Sequence, residues 1–474
     1  MIHVGLEPSF RMKEALLARL RPYGQEHLLR FWERLDAAGR EELEQQIERL
    51  DLALIERLYQ RRNDRGDFRA LAARASPPPA IRRETGKNPF TPEEACRRGT
   101  AALRAGQIGA ILVAGGQGTR LGFPHPKGMY PIGPISQRTL FEILVEKIVA
   151  AARRSGAAIP LYLMTSPATD GETRAFFREN QRFGLPEEDL FLFCQGTMPA
   201  VEETTGKILL EAPHRLALSP DGHGGMLAAL AGSGALGEIE RRGIQHLFYF
   251  QVDNPLVDVC GPEFLGYHLL ADSEFSTQVI AKGDPLDRVG NVIQVDGRLR
   301  VVEYSDLPED VARQRNADST LKIWAGSIAV HVISAALLRR LAGEADALPF
   351  HYARKKVSCL DAAGEPVTPA EPNALKFERF IFDLMPAARN ALVVEIDPAE
   401  GFAPLKNAAG AAADTPERVQ RAMIAQHRRW LAEAGVEAAT GLAVEISPLF
   451  ALDADEVKTK LLPGTRITAP TYFS

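Results

Sequence analysis

The hydrophobic and polar positions change rhythm near residue 80. Over residues 11–75 they follow a helical spacing, with Leu28, Phe31, Trp32 and Leu35 on one face and Leu43, Ile47, Leu50 and Leu54 repeating it. Residues 36–40, DAAGR, supply a break between these helices. Glu41, Glu42, Glu44 and Arg49 form a solvated face, so the apolar stripe reads as packing rather than as a partner site. The prolines of SPPPA, 76–80, remove donors and fix an extended chain, which ends the helical pattern. From residue 100 onward, short apolar runs at 109–114, 160–165, 190–194, 246–252, 277–282 and 326–332 alternate with helix-like stretches such as 139–152 and 168–183. That alternation predicts an α/β domain with a largely parallel sheet. Residues 290–304 alternate instead around Asp296-Gly297, a hairpin turn pair, so an antiparallel insertion is expected there.

The first of these runs carries the densest chemistry. Residues 108–127 read IGAILVAGGQGTRLGFPHPK, an apolar run that stops abruptly in glycines, as a buried strand does on entering a ligand loop. Gly115, Gly116, Gly118 and Gly122 permit close approaches that a side chain would block, and Arg120 and Lys127 add fixed positive charge. Exposed backbone N–H groups beside two cations make a cradle for a triphosphate. The dinucleotide fingerprint fails because Leu121 stands at its third glycine, and the mononucleotide P-loop fails because Gly128 follows Lys127. A solvated glycine-rich turn is the bland alternative; the coincidence of strand, glycines and both cations favours the cradle.

Composition narrows the partners. At 474 residues, two or three domains are expected. With 56 Lys+Arg against 61 Asp+Glu, the net charge of −5 offers no electrostatic footprint for nucleic acid or an anionic membrane, so a phosphate ligand must be held by a local site. No run approaches a membrane span, and residues 1–20 lack the ordered regions of a signal peptide, which makes a cytoplasmic location the expectation. Cys96, Cys194, Cys260 and Cys359 lack C-x-x-C spacing and are expected to be free thiols, most of them buried. Assembly stays open between monomer and oligomer.

Further candidates follow the glycine loop. Gln195, in FCQGTMPA, has an amide able to pair with a pyrimidine edge, or is a solvated strand-end glutamine. His223 lies in the glycine-rich SPDGHGGML, where it is a structural histidine or a ligand contact. Asp253, in FYFQVDNPL, stands just past an apolar strand, either capping a turn or holding Mg²⁺ against phosphate oxygens. Gly290 and Asn291 open the hairpin, and Glu303 and Tyr304 close it. The phenylalanines of FERFIFD (Phe377, Phe380, Phe382) offer faces to a sugar ring or pack in the core. Lys406, in FAPLKNA, is a surface lysine or one that reaches phosphates.

Together, LVAGGQGTRLG with PKGMY, MTS, QGTMPA, PDGHGG, YFQVDN, VVEYS, AGSI, KFERFIFD, FAPLKNA and EISPL resemble, in this order, the eukaryotic-type UDP-N-acetylhexosamine pyrophosphorylases and their UDP-sugar pyrophosphorylase relatives. The resemblance implies an α/β, Rossmann-like (GT-A-like) nucleotidyltransferase fold with a mixed sheet: a helical part over 1–95, a catalytic domain over 96–408 and a small C-terminal domain over 409–474. It further implies that Ala114, Gly115 and Gly116 lie against uridine, with Gly118 and Thr119 in the same substrate loop. Arg120, Lys127 and Lys406 would hold phosphate, Gln195 and Gly222 would read uracil, and Asp253 would carry Mg²⁺. Gly290, Glu303, Tyr304 and the region of Phe377, Phe380 and Phe382 would shape the sugar pocket. His223 and Ser327 stand where members acting on N-acetylhexosamine phosphates usually carry asparagine, and histidine at the first position is reminiscent of the glucose-type branch.

The expected reaction joins UTP and a sugar 1-phosphate into UDP-sugar and pyrophosphate, with N-acetylglucosamine 1-phosphate as the leading substrate. Glucose 1-phosphate or a broad sugar range is the alternative. A UDP-sugar-dependent glycosyltransferase would not need the triphosphate cradle, and a non-catalytic UDP-sugar-binding regulator would not need to keep Arg120, Lys127, Asp253 and Lys406.

Overall fold

The computed structural model describes residues 8–62, 68–83, 86–344 and 347–474. Residues 63–67 of the predicted helical stretch and residues 1–7 of the segment compared with a signal peptide lie outside the described residues. Two compact units interleave along the chain. One is built from the described parts of 1–66, 196–225 and 348–380, the other from those of 67–195, 226–347 and 381–474.

In the first unit, helices Pro8–Leu20, Ala37–Glu48 and Leu52–Gln60 bury Leu20, Leu43, Ile47 and Ile55 together with Val201, Leu375 and Phe377 of a small antiparallel sheet. The stretch around Leu28 to Leu35 is not the regular helix its spacing suggests. It winds through 3-10 turns at Glu26–Leu29 and Trp32–Arg34, and still buries Leu28, Phe31 and Trp32. The expected break at 36–40 is instead a helix start. Asp36 caps it by accepting from the Gly39 N–H at 2.8 Å, the usual way to satisfy a first-turn donor. Buried Gln25 donates to the Gly206 carbonyl (3.1 Å) and accepts from the Ile208 N–H (2.9 Å), which fixes the 206–208 turn beside these helices.

The second unit holds the large sheet. Its strands are β1 (Ala80–Ile81), β2 (Ile108–Val113), β3 (Leu161–Thr165), β4 (Leu190–Cys194), β5 (His246–Gln251), β6 (Phe275–Ala281), β7 (Gly290–Val295), β8 (Arg298–Val302), β9 (Ala325–Ser334) and β10 (Ala391–Glu395). They order as β1-β10-β6-β9-β5-β2-β3-β4, with β7 on β9 and β8 on β7. Strands β5, β2, β3 and β4 are mutually parallel, so their carboxyl ends share one edge. Strands β7 and β8 form the expected hairpin, with Asp296 and Gly297 both at positive φ (51° and 77°), as a type I′ turn demands. The expectation of parallel pairing fails at β9, which runs antiparallel to both β5 and β6. A strand buried on both faces shows no alternation, so its apolar run carries no information about direction.

The main helices are α1 (Pro92–Arg104), α2 (Leu140–Ser155), α3 (Asp170–Glu179), α4 (Pro262–Leu270) and α5 (Pro416–Glu433). Helices α1 and α2 open with reciprocal capping boxes, Thr91 with Glu94 and Thr139 with Glu142. Helix α3 ends four residues short of the predicted 183, because Gln181, Arg182 and Phe183 all take positive φ. Phe183 kept the helical spacing in sequence because it returns to the same aromatic cluster, 5.4 Å from the Phe177 ring. Residues beyond 430 form a satellite core of Leu431, Val436, Val444, Ile446, Val457 and Ile467. The four cysteines are free thiols, but the expectation that most are buried fails: Cys260 is buried, Cys96 and Cys359 are half-buried, and Cys194 is exposed. Cys194 ends a strand whose neighbouring residues supply the burial, so the apolar context of its sequence does not extend to its own side chain.

Helices α1 and α4 meet through glycines. A Cβ added at Gly99 would stand 1.9 Å from the Pro262 carbonyl oxygen, and one at Gly266 would stand 1.7 Å from that of Ala95. Alanine is the better helix former by ~1 kcal/mol, but overpacking of this kind costs ~1–3 kcal/mol or more. Gly99→Ala should therefore lower the urea midpoint despite its higher propensity; an unchanged or raised midpoint would show that the helices can separate at no cost.

Candidate active site

The shared carboxyl edge of β2 to β5 is where an open α/β sheet offers its crevice. Beyond β2, Ala114 is buried and donates its N–H to Met164 O at 2.8 Å. The Gly115 carbonyl accepts from Ser166 Oγ at 2.8 Å. A Cβ at Gly115 would lie 3.3 Å from both the Gln195 amide and Ser166, so Gln195 is brought directly over the glycine loop from the end of β4. Gly116 faces open space, with nothing within 4 Å of an added Cβ, which leaves its backbone accessible to a ligand. Gly118 has a different task. Its N–H donates to His125 O (2.9 Å), its carbonyl accepts from Phe123, and an added Cβ would fall 2.8 Å from the carbonyl oxygens of both residues. Thr119 and Arg120 sit exposed in the 3-10 turn Thr119–Leu121, which Gly122 closes at φ 67°.

The returning arm of the loop carries Lys127, whose N–H donates to Gly116 O at 3.0 Å. Its ammonium donates to Leu405 O at 3.2 Å and lies 3.8 Å from Asp253 Oδ2, just past the end of β5. Burial pushes the Lys127 pKa down, Asp253 pulls it back up, and Lys406 and Arg120 push it down again. These predicted residues therefore share one electrostatic neighbourhood: two side chains 14–17% exposed in an ion pair, with two further cations around them. A polyanion bound here would relieve the repulsion. Lys406 is presented by a loop closed at its base, where the N–H groups of Lys406 and Asn407 both donate to Asp414 O.

A second group forms at the hairpin. Gly290 pairs in register with Ser327, and an added Cβ would lie 3.5 Å from Glu303 Oε1 and 3.7 Å from Ser327 Cβ, so these three predicted residues converge. Tyr304 follows and is 47% exposed. Phe382 is buried. Sequence reasoning missed Lys282, whose buried ammonium donates to Asn291 Oδ1 at 2.6 Å behind this group; a lone lysine closing a strand carries no pattern that marks it.

The remaining predicted residues belong to the first unit. Gly222 takes φ 85°, and an added Cβ would stand 2.4 Å from Arg379 O, so glycine is required. The Gly224 N–H donates to that same carbonyl at 2.7 Å. Asp221, also missed because PDG reads as an ordinary turn, is buried and pairs with Arg379 Nη2 at 2.7 Å. His223 stacks on Phe380 at 5.2 Å and 26°, and His351 covers the Phe380 ring at 4.5 Å. Burial and the nearby His351 push the His223 pKa down to about 4, so its imidazole is neutral at physiological pH. Phe377 is fully buried and packs edge-on against Tyr352. Of the three phenylalanines, then, Phe377 and Phe382 are buried, and Phe380 is half-buried between the His223 and His351 rings.

A family profile described as UTP–glucose-1-phosphate uridylyltransferase matches residues 92–459. The chain belongs to this family. It is 36% identical over 437 residues to the UDP-N-acetylhexosamine pyrophosphorylase-like protein 1 of Homo sapiens, covering 88% of this chain and 85% of that one. It is 36% identical over 358 residues to the UDP-N-acetylglucosamine pyrophosphorylase of Saccharomyces cerevisiae, covering 74% and 75%. Among solved structures, the uridine diphosphate N-acetylglucosamine pyrophosphorylase of Trypanosoma brucei, crystallised with an inhibitor, superposes with a TM-score of 0.80 at 27% identity over 96% of this chain and 95% of that one. The resemblance read from the motifs and the nucleotidyltransferase-like mixed α/β fold are both borne out.

The loop glycines separate experimentally. Gly118→Ala should lower the thermal unfolding midpoint, since its Cβ meets backbone, whereas Gly116→Ala should leave the midpoint unchanged and weaken nucleotide binding. Equal midpoints for the two variants would contradict the division of labour drawn here.

Proposed function

We propose that the protein is a uridylyltransferase that converts UTP and N-acetylglucosamine 1-phosphate into the UDP-sugar and pyrophosphate. The observation that carries this is the placement of Lys127 and Asp253 beside the glycine loop, with Arg120 and Lys406 in their field. A phosphate oxygen of the sugar 1-phosphate attacks the α-phosphorus of UTP. The new O–P bond forms as the bond to pyrophosphate breaks, so no protein nucleophile is needed. Catalysis is positioning and charge neutralisation. Gln195 reads uracil, while Gly116 presents open backbone to the nucleotide. Arg120, Lys127 and Lys406 bind phosphate oxygens and offset the charge that grows on the leaving group.

Among the described residues no three His, Cys, Asp or Glu side chains converge into a protein-built metal cage. A single carboxylate, Asp253, is the kind of protein ligand that Mg²⁺ takes while keeping its waters and sharing substrate phosphate oxygens, so the donor set fits that ion. Bound there, Mg²⁺ supplies charge neutralisation to the polyphosphate.

A plain-hexose or broad sugar range is the second reading, favoured by one observation: His223 is a neutral, stacked imidazole and Ser327 a short hydroxyl, and neither copies an asparagine amide. No helix among the described residues is long and apolar enough to cross a membrane. Four free thiols fit a reducing compartment such as the cytoplasm.

The test is pyrophosphate release from UTP and Mg²⁺ with N-acetylglucosamine, N-acetylgalactosamine, glucose and galactose 1-phosphates. Strong preference for N-acetylglucosamine 1-phosphate is expected. Preference for a plain hexose would make His223 and Ser327 the specificity switch, and no release with any sugar would favour a binding regulator. Lys127→Ala should lower kcat by roughly 10²–10³-fold with an unchanged circular dichroism spectrum; near-normal turnover in the folded variant would remove Lys127 from the mechanism.

A further inference from the structure

Asn254 follows Asp253 and is 4% exposed. Both ends of its amide are engaged inside the protein. Nδ2 donates to Gly401 O at 2.8 Å, and Oδ1 accepts from the Ala403 N–H at 3.1 Å and from the Leu256 N–H at 3.3 Å. The side chain thus pairs with a stretch of backbone as a neighbouring strand would, offering one donor and one acceptor. One residue earlier in the turn and two later in the paired stretch, the Leu405 N–H donates to Asp253 O at 2.8 Å. The Leu405 carbonyl in turn receives the Lys127 ammonium. Lys406 is the next residue, so the chain leading into it is tied to the turn that carries Asp253 by three hydrogen bonds, two of them from one buried amide.

We propose that Asn254 is a positioning residue of the transfer site, locking the 401–405 segment onto the Asp253 turn so that Lys406 is held in register with Lys127 and Asp253. It touches no substrate, since both ends of its amide are occupied by backbone. Asparagine is required by the chemistry of the contact. An aspartate would turn a carboxylate oxygen toward the Gly401 carbonyl, and an alanine would leave buried backbone groups without partners. Just before this segment, Gln426 of α5 donates to Glu400 O at 2.7 Å, so the stretch leading to Lys406 has a further anchor at its start. The inference rests on the phosphate-binding role proposed above for Lys406.

The experiment is a double-mutant cycle in kcat for pyrophosphate release, with thermal unfolding recorded for every variant. Asn254→Ala should lower kcat by about 10²-fold in the native background, the scale of a small misplacement of a charged group. In a Lys406→Ala background it should lower kcat little further, because the residue through which it acts is gone. In a Gln195→Ala background the full loss should persist. A merely structural role would give the same fold-loss in all three backgrounds, and that result overturns the inference. Asn254→Asp carries the same cycle if the alanine variant fails to fold; if neither folds, Asn254 is a structural residue and the inference falls. A normal kcat for Lys406→Ala alone would overturn both the phosphate role of Lys406 and this inference. A low Lys406→Ala rate with multiplicative effects would overturn only the role of Asn254.

Discussion

A lysine ammonium drawn out of water beside one carboxylate, with two more cations within electrostatic reach, sets the terms for the catalytic half of this protein. Removing Lys127 from solvent disfavours its charge, and the attraction of Asp253 offsets this in part. The pair holds its place because β2 and β5 are adjacent and parallel, so the loops beyond them emerge on the same edge. The glycines of the first loop let its returning arm fold back far enough to deliver Lys127, and the turn after β5 delivers Asp253. In a protein of net charge −5, such a local concentration of positive charge is a place where an anionic ligand meets less repulsion than elsewhere on the surface.

Much of this was legible in the chain. Strand β4 falls at the predicted residues, and most other strands of the large sheet fall within a residue or two, because apolar runs ending in glycine or aspartate mark strand and loop together. The convergence of Lys127, Asp253 and Lys406 followed from the ordered motifs, although 126 residues separate the first two in sequence and spacing alone could not join them. What was not legible had physical causes. Strand direction is invisible in a doubly buried run, hence the error at β9. A left-handed turn that returns a phenylalanine to its cluster preserves helical spacing, hence the overlong α3. Asp221 pairs with Arg379, Asn254 with backbone and Lys282 with Asn291, and single polar residues in turns or at strand ends leave no periodic trace.

The two positions at which the motif resemblance leads one to expect asparagine are held differently. Ser327 lies on a strand and is fixed by register with Gly290, so its hydroxyl has a defined place relative to Glu303. His223 lies in a 3-10 turn whose backbone is pinned by Arg379, and its ring is held flat against Phe380. The first is a short side chain on a rigid support. The second is a planar ring whose orientation is set by its stacking on Phe380.

The large sheet, on which Ser327 lies, is assembled from distant parts of the chain. Strand β1, near residue 80, pairs in parallel with β10 near residue 393, and the Glu445 carboxylate accepts hydrogen bonds from the N–H groups of Ile135 and Ser136. During synthesis from the N-terminus, β1 must wait unpaired while some three hundred further residues emerge, and the loop before α2 stays unbraced for about as long. Such long-range closure slows folding and exposes unpaired strand edges in the meantime. Truncation before Glu445 would also remove the brace of a loop more than three hundred residues upstream.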